Sequence, residues 1–109
     1  MTLREISPEE AERLWQESSE TLFLDVRTPE EHATVRIPRS KSIPIEELEY
    51  RLHELPAQKD ASIVVYCATG RRSAVACEFL GRIHGYTGVV NLAGGIVAWN
   101  GAREYGLVK

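Results

Sequence analysis

Tyr66-Cys67-Ala68-Thr69-Gly70-Arg71-Arg72-Ser73 joins two segments of different character. Before it, Ile63 to Tyr66 is an apolar and aromatic run, mostly β-branched, which reads as a short buried strand. After it no Gly or Pro occurs until Gly81, and Ala, Leu and Phe recur, which reads as a buried helix. The stretch is therefore a tight strand-to-helix turn, with Cys67 at the strand's carboxyl end. The first turn of a helix leaves backbone N–H groups without partners, and its dipole places partial positive charge there. A thiol in that cradle is drawn toward thiolate, the nucleophilic form. Arg71 and Arg72 add full charges, and Gly70 permits a loop conformation that a side chain would make costly. Free cysteine is commonly plain core, but two adjacent arginines at a helix start favour the reactive reading of Cys67.

Working outward, Ser7-Pro8-Glu9-Glu10 reads as a helix start, with Ser as cap and Pro at the first helical position; Ala11, Leu14 and Trp15 then share one face. Thr21 to Val26 predicts a strand, apolar on both faces as in a parallel sheet covered by helices. Asp25 is out of place in it and belongs at the sheet's carboxyl edge, paired or wet. Thr28-Pro29-Glu30-Glu31 repeats the capping pattern and starts a short helix, which Ile37-Pro38 ends. Ser42-Ile43 reads as a brief edge strand. Ile45, Leu48, Leu52 and Leu55 predict a helix over Glu46 to Glu54, stopping before Pro56.

On the other side of the turn, Ala74, Ala76, Cys77, Leu80 and Ile83 lie along the long helix, with Gly85 as its C-terminal cap. Cys77 belongs to its core side, too far along the helix to bridge easily to Cys67. Val89 to Leu92 is a last strand, and Gly94-Gly95 turns the chain into a final helix whose Ile96 and Trp99 face inward. Alternating strands and helices at this spacing predict a three-layer α/β domain with a mainly parallel sheet. In such sheets ligands bind outside the carboxyl ends of the strands, where Asp25, Cys67 and Gly94-Gly95 converge. His32, His53 and His84 sit in helical stretches without a motif and read as ordinary residues.

The 109 residues suit one domain, 1–109, and are too few for two. With 43% hydrophobic and 27% charged residues the composition is that of an ordinary globular chain. No apolar run approaches the ~20 residues that span a bilayer, and Met1 to Pro8 lacks the apolar centre of a signal peptide. Two cysteines without CxxC or Cys/His ligand spacing argue against structural zinc, any other metal, or a disulfide framework, and suit a reducing cytoplasm. A net charge of −3 argues against general nucleic-acid affinity. The basic residues Arg36, Arg39, Lys41, Arg71 and Arg72 nevertheless gather in two segments, whereas Glu9, Glu10, Glu12, Glu17 and Glu20 crowd the N-terminal region.

Four features together resemble the single-domain rhodanese sulfurtransferases: Leu24-Asp25-Val26-Arg27 with Pro29-Glu30-Glu31; Ile37-Pro38; Val64 to Ala74 around Cys67; and Asn91-Leu92-Ala93-Gly94-Gly95-Ile96-Val97-Ala98-Trp99. The resemblance implies a rhodanese-like three-layer fold and a sulfurtransferase without cofactor. Cys67 would be the catalytic residue, taking sulfane sulfur from an anionic donor such as thiosulfate as a persulfide. It would pass that sulfur to a thiophilic acceptor, cyanide in vitro and a thiol or protein otherwise. Ala68, Thr69, Gly70, Arg71, Arg72 and Ser73 would form the substrate-binding loop, supported by Asp25 and Arg27. The chain departs from the family's Gly-His-Ile-Pro-Gly-Ala at Val35-Arg36-Ile37-Pro38-Arg39-Ser40, which bears on turn geometry and on charge near the mouth.

Two alternatives stand beside this reading. A cysteine phosphatase would place its arginine six residues after the cysteine, where Ser73 stands here, and commonly a His before it, where Tyr66 stands. A non-catalytic binding module of the same fold usually lacks the cysteine, which is present here.

Overall fold

Strands form at 5–6 (β1), 22–25 (β2), 35–36 (β3), 41–42 (β4), 63–66 (β5), 89–92 (β6) and 104–105 (β7) in the computed structural model, which describes residues 4–106. The α-helices are α1 (Pro8–Glu17), α2 (Pro29–Thr34), α3 (Arg71–Glu78) and α4 (Gly95–Ala98). Part of the Met1 to Pro8 stretch, residues 1–3, lies outside the described residues. β1, β6, β5, β2 and β4 make one sheet in that order, and every pairing in it is parallel. β3 and β7 form a separate antiparallel pair.

The three layers follow from alternation along the central strands. Leu24, Ile63 and Val65 join a core with Ala76, Cys77 and Leu80 of the α3 segment on one face. Phe23, Val64 and Tyr66 join Ala11 of α1 and Ile96 and Trp99 of the α4 segment on the other. Both faces of β2 and β5 are covered, which is why these strands read as continuous apolar runs. The Ser7 and Thr28 caps form as the sequence indicates, the second as a complete capping box with Glu31.

Two helices differ from expectation. The stretch expected as one helix over Glu46 to Glu54 is two 3₁₀ segments, Ile45–Tyr50 and Leu52–Glu54. Within each half the apolar residues are three apart, the repeat of a 3₁₀ turn, and Arg51 (φ −123°, ψ 22°) breaks the run between them. The long helix after Cys67 passes at Phe79–Ile83 into a π-turn containing Gly81, and Gly85 follows in the left-handed region (φ 75°).

Candidate active site

Cys67 directly follows β5 and is 1% exposed, with its sulfur beneath the loop that leads into α3. Gly70 caps that helix in the left-handed region, φ 99°, a conformation a side chain would strain. The turn brings three donors to Cys67 Sγ: Gly70 N–H at 3.1 Å, Ser73 N–H at 3.4 Å and the Ser73 hydroxyl at 3.3 Å. Burial pushes the thiol up, but the Ser73 hydroxyl and the N–H groups of Ser73, Gly70 and Thr69 outweigh it and hold Cys67 below its ordinary value. Arginine charge, expected to do this, is not the main cause. Arg72 is turned to Glu31, Nη1 to Oε1 at 2.8 Å and Nη2 to Oε2 at 3.0 Å.

α4 closes the back of the loop. Its Ile96 N–H donates to Cys67 O at 2.9 Å, and Val97 N–H donates to Ala68 O at 3.1 Å. Such close approach excludes a side chain at Gly95, where a Cβ would lie 2.4 Å from Ala68 O. Asn91 of β6, 1% exposed, sits beside Ser73: the Ser73 hydroxyl donates to Asn91 Oδ1 at 2.5 Å, and Asn91 Nδ2 donates to Gly70 O at 3.1 Å.

Asp25 ends β2 and is wholly buried, so its charge needs partners. It accepts from Arg27 N–H, Nε and Nη2 at 3.0, 2.9 and 2.7 Å, and its Oδ2 lies 2.8 Å from His32 Nδ1. Arg27 thus hydrogen-bonds Asp25, whereas the loop and Arg72 do not reach Asp25 among its hydrogen bonds. Because Asp25 pairs in register with Tyr66, the cluster braces the strand ends directly before Cys67.

Of the loop residues singled out in the sequence, Gly70 and Ser73 hydrogen-bond the sulfur, Ala68 anchors α4 through its carbonyl, and Thr69 and Arg71 are exposed. Sequence reasoning passed over three contributors: Glu31, His32 and Asn91. Glu31 carried the signal of a helix cap, which hid its second role, and His32 carried none. The departures at 36 and 39 also resolve differently from expectation. Arg36 pairs with Glu104 (Nε to Oε1, 3.2 Å). Arg39, at φ 67°, stacks on Trp15 with 4.1 Å to the ring centroid, beside Leu22 and Phe23 at the start of β2 and so at the opposite end of that strand from Asp25.

The sequence profile of the rhodanese-like domain matches residues 7–102. The chain belongs to this family. A sulfurtransferase of Allochromatium vinosum is 38% identical over 97 residues, covering 89% of this chain and 88% of that protein. The human thiosulfate:glutathione sulfurtransferase is 35% identical over 94 residues, covering 75% of this chain and 81% of its own. A rhodanese-like domain protein from Staphylococcus aureus superposes with a TM-score of 0.83 at 33% identity, over 94% of this chain and 98% of that structure. At this level of description the chain is a rhodanese-domain sulfurtransferase, with the mostly parallel three-layer fold of its neighbours. Among the described residues no helix is long and apolar enough to cross a membrane.

Proposed function

We propose that the domain moves sulfane sulfur from an anionic donor such as thiosulfate to a thiol acceptor through a persulfide on Cys67. The observation that carries this reading is the convergence of the Gly70 N–H, Ser73 N–H and Ser73 hydroxyl on Cys67 Sγ. In the first half-reaction the Cys67 thiolate attacks the sulfane sulfur of the donor. A sulfur–sulfur bond forms, the bond to the sulfonate sulfur breaks, and sulfite leaves with the electron pair. In the second, an acceptor thiolate (cyanide in vitro) attacks the outer sulfur, and Cys67 departs as thiolate. The loop donors stabilise the anion on Sγ, which is the attacking group in the first step and the leaving group in the second. Arg71, exposed at the helix start, is the cation available to attract the donor, whereas Arg72 is engaged by Glu31. A reducing compartment such as the cytoplasm would keep both cysteines as thiols.

Mass spectrometry of the intact protein after thiosulfate treatment tests the proposal. The wild type should gain the mass of one sulfur atom, Cys77→Ala should gain it too, and folded Cys67→Ser should not. Gain in Cys67→Ser with loss in Cys77→Ala would overturn the assignment.

A further inference from the structure

Behind the Cys67 loop, a chain of side chains runs from Cys67 through Ser73 and Asn91, all buried, to the exposed Glu5 on β1. Asn91 Nδ2 has two acceptors, Glu5 Oε2 at 3.2 Å and Gly70 O at 3.1 Å. Neither a carboxylate nor a carbonyl can donate, so the amide nitrogen must face them and Oδ1 must face Ser73. Oδ1 can only accept. The Ser73 hydroxyl, 2.5 Å from Asn91 Oδ1 and 3.3 Å from Cys67 Sγ, therefore has one proton and two acceptors competing for it.

We propose that Asn91 is a positioning residue that sets the reactivity of Cys67 by competing with its sulfur for the Ser73 proton. With Cys67 as a thiol, S–H donates to Ser73 Oγ while the hydroxyl donates to Asn91, and every polar group is satisfied. When the thiol proton leaves to solvent, the hydroxyl turns to the sulfur anion, and Asn91 Oδ1, in a residue only 1% exposed, loses its donor. That loss falls on the ionised state alone, so Asn91 holds the unloaded sulfur closer to thiol than the loop by itself would. Once Cys67 carries a second sulfur, the negative charge moves to the outer atom and the hydroxyl returns to Asn91. Among the described residues, Arg72, tied to Glu31, and Cys77 across the core are ionisable groups that feel the Cys67 charge.

The proposal rests on Cys67 being the reacting thiol, but its test reads ionisation and needs no sulfur transfer. The pH dependence of Cys67 alkylation is measured in a Cys77→Ala background for Asn91→Leu, Ser73→Ala and the double variant. Asn91→Leu should lower the apparent thiol pKa by about half a unit, roughly a threefold gain in thiolate below it, and Ser73→Ala should raise it. The Asn91→Leu change should vanish when Ser73 is Ala. An Asn91 that merely supports the loop through Gly70 would give the opposite sign, a rise, and the rise would persist without the Ser73 hydroxyl; either result overturns the proposal. Asn91→Ala removes the amide without adding bulk and carries the same comparison if leucine does not fit. Thiosulfate loading, run in parallel, reports separately on whether Cys67 is the sulfur carrier.

Discussion

Glu31 and Arg72 meet as a parallel, two-bonded ion pair at 2.8 and 3.0 Å, joining the first turn of α2 to the first turn of α3 across 41 residues of sequence. The hydrogen bonds from Arg72, against a smaller opposing effect of burial, hold the Glu31 carboxyl at about 2, below its ordinary range. Unfolded, it would titrate at ~4.3. Its contribution to stability is therefore complete above that value and is lost as pH falls toward 2. The two side chains are 34% and 38% exposed, so screening reduces the contribution to about 1 kcal/mol. Urea unfolding of wild type and Glu31→Gln should differ by that amount at neutral pH and converge near pH 2. A gap unchanged across this range would mean that Glu31 acts only as a helix cap.

Cys67 and Cys77 should differ sharply toward alkylating agents. Burial pushes the Cys77 thiol up to about 12, with the Cys67 and Glu5 charges adding to the effect, whereas the loop donors pull Cys67 down. Near pH 7 Cys67 should react at least ~100-fold faster. Because the Ser73 hydroxyl and the loop N–H groups cause the lowering, replacing Arg71 and Arg72 by Ala should leave most of the difference in place. Equal rates in the folded protein would refute this account.

Asp25→Asn should be strongly destabilising. The carboxylate is wholly buried against an Arg27 that is only 3% exposed, and losing its charge leaves the guanidinium without a counter-ion, a change that typically costs about 3–5 kcal/mol. Activity per folded molecule should keep the wild-type pH profile, because Asp25 faces Arg27 and His32 and makes no hydrogen bond to Cys67. Disappearance of an acid limb at unchanged thermal stability would make Asp25 a proton-transfer group instead.

Gly95→Ala should impair both folding and sulfur loading. At φ 65° the new side chain is strained by about 1–3 kcal/mol, and its Cβ would stand 2.4 Å from Ala68 O, displacing the Cys67 loop. Gly85→Ala shares a positive φ, 75°, but meets nothing within 4 Å. It should cost stability without slowing persulfide formation, and thermal melts alongside loading rates separate the two cases.

Aryl phosphates should not be turned over. Phosphoryl transfer needs donors around three equatorial oxygens, whereas here the turn is short enough for the Gly70 and Ser73 N–H groups to reach Sγ itself. Inserting one residue between Gly70 and Arg71 should lower sulfur transfer to cyanide. Aryl phosphate hydrolysis faster than sulfur transfer in the unmodified protein would replace the sulfurtransferase reading with a phosphatase one.

Much of this was determined by sequence alone, because the interactions concerned are local. The Thr28 cap with Glu31, the left-handed Gly70 and the apolar run before Cys67 involve residues within a few positions of one another, and their chemistry sets backbone conformation directly. Placement of Cys67 at a strand end under a helix start followed from them, and with it the core position of Cys77. Local reading failed where two regular forms compete closely, as over residues 45–54, where apolar spacing fits a 3₁₀ turn as well as an α-helix. Tertiary structure alone decided the rest. β3 pairs with β7 across some seventy positions, Arg39 folds onto Trp15, His32 meets Asp25, and Arg72 chooses Glu31 over the sulfur loop. Each is a choice among several charged or polar partners that the sequence offers equally, settled by which side chains the packed sheet brings within hydrogen-bond reach. Asn91 is the clearest instance: on β6 it is one polar residue in an apolar strand, and only the parallel register of β6 with β1 and β5, together with α3 packed against β6, sets it between Glu5, Gly70 and Ser73.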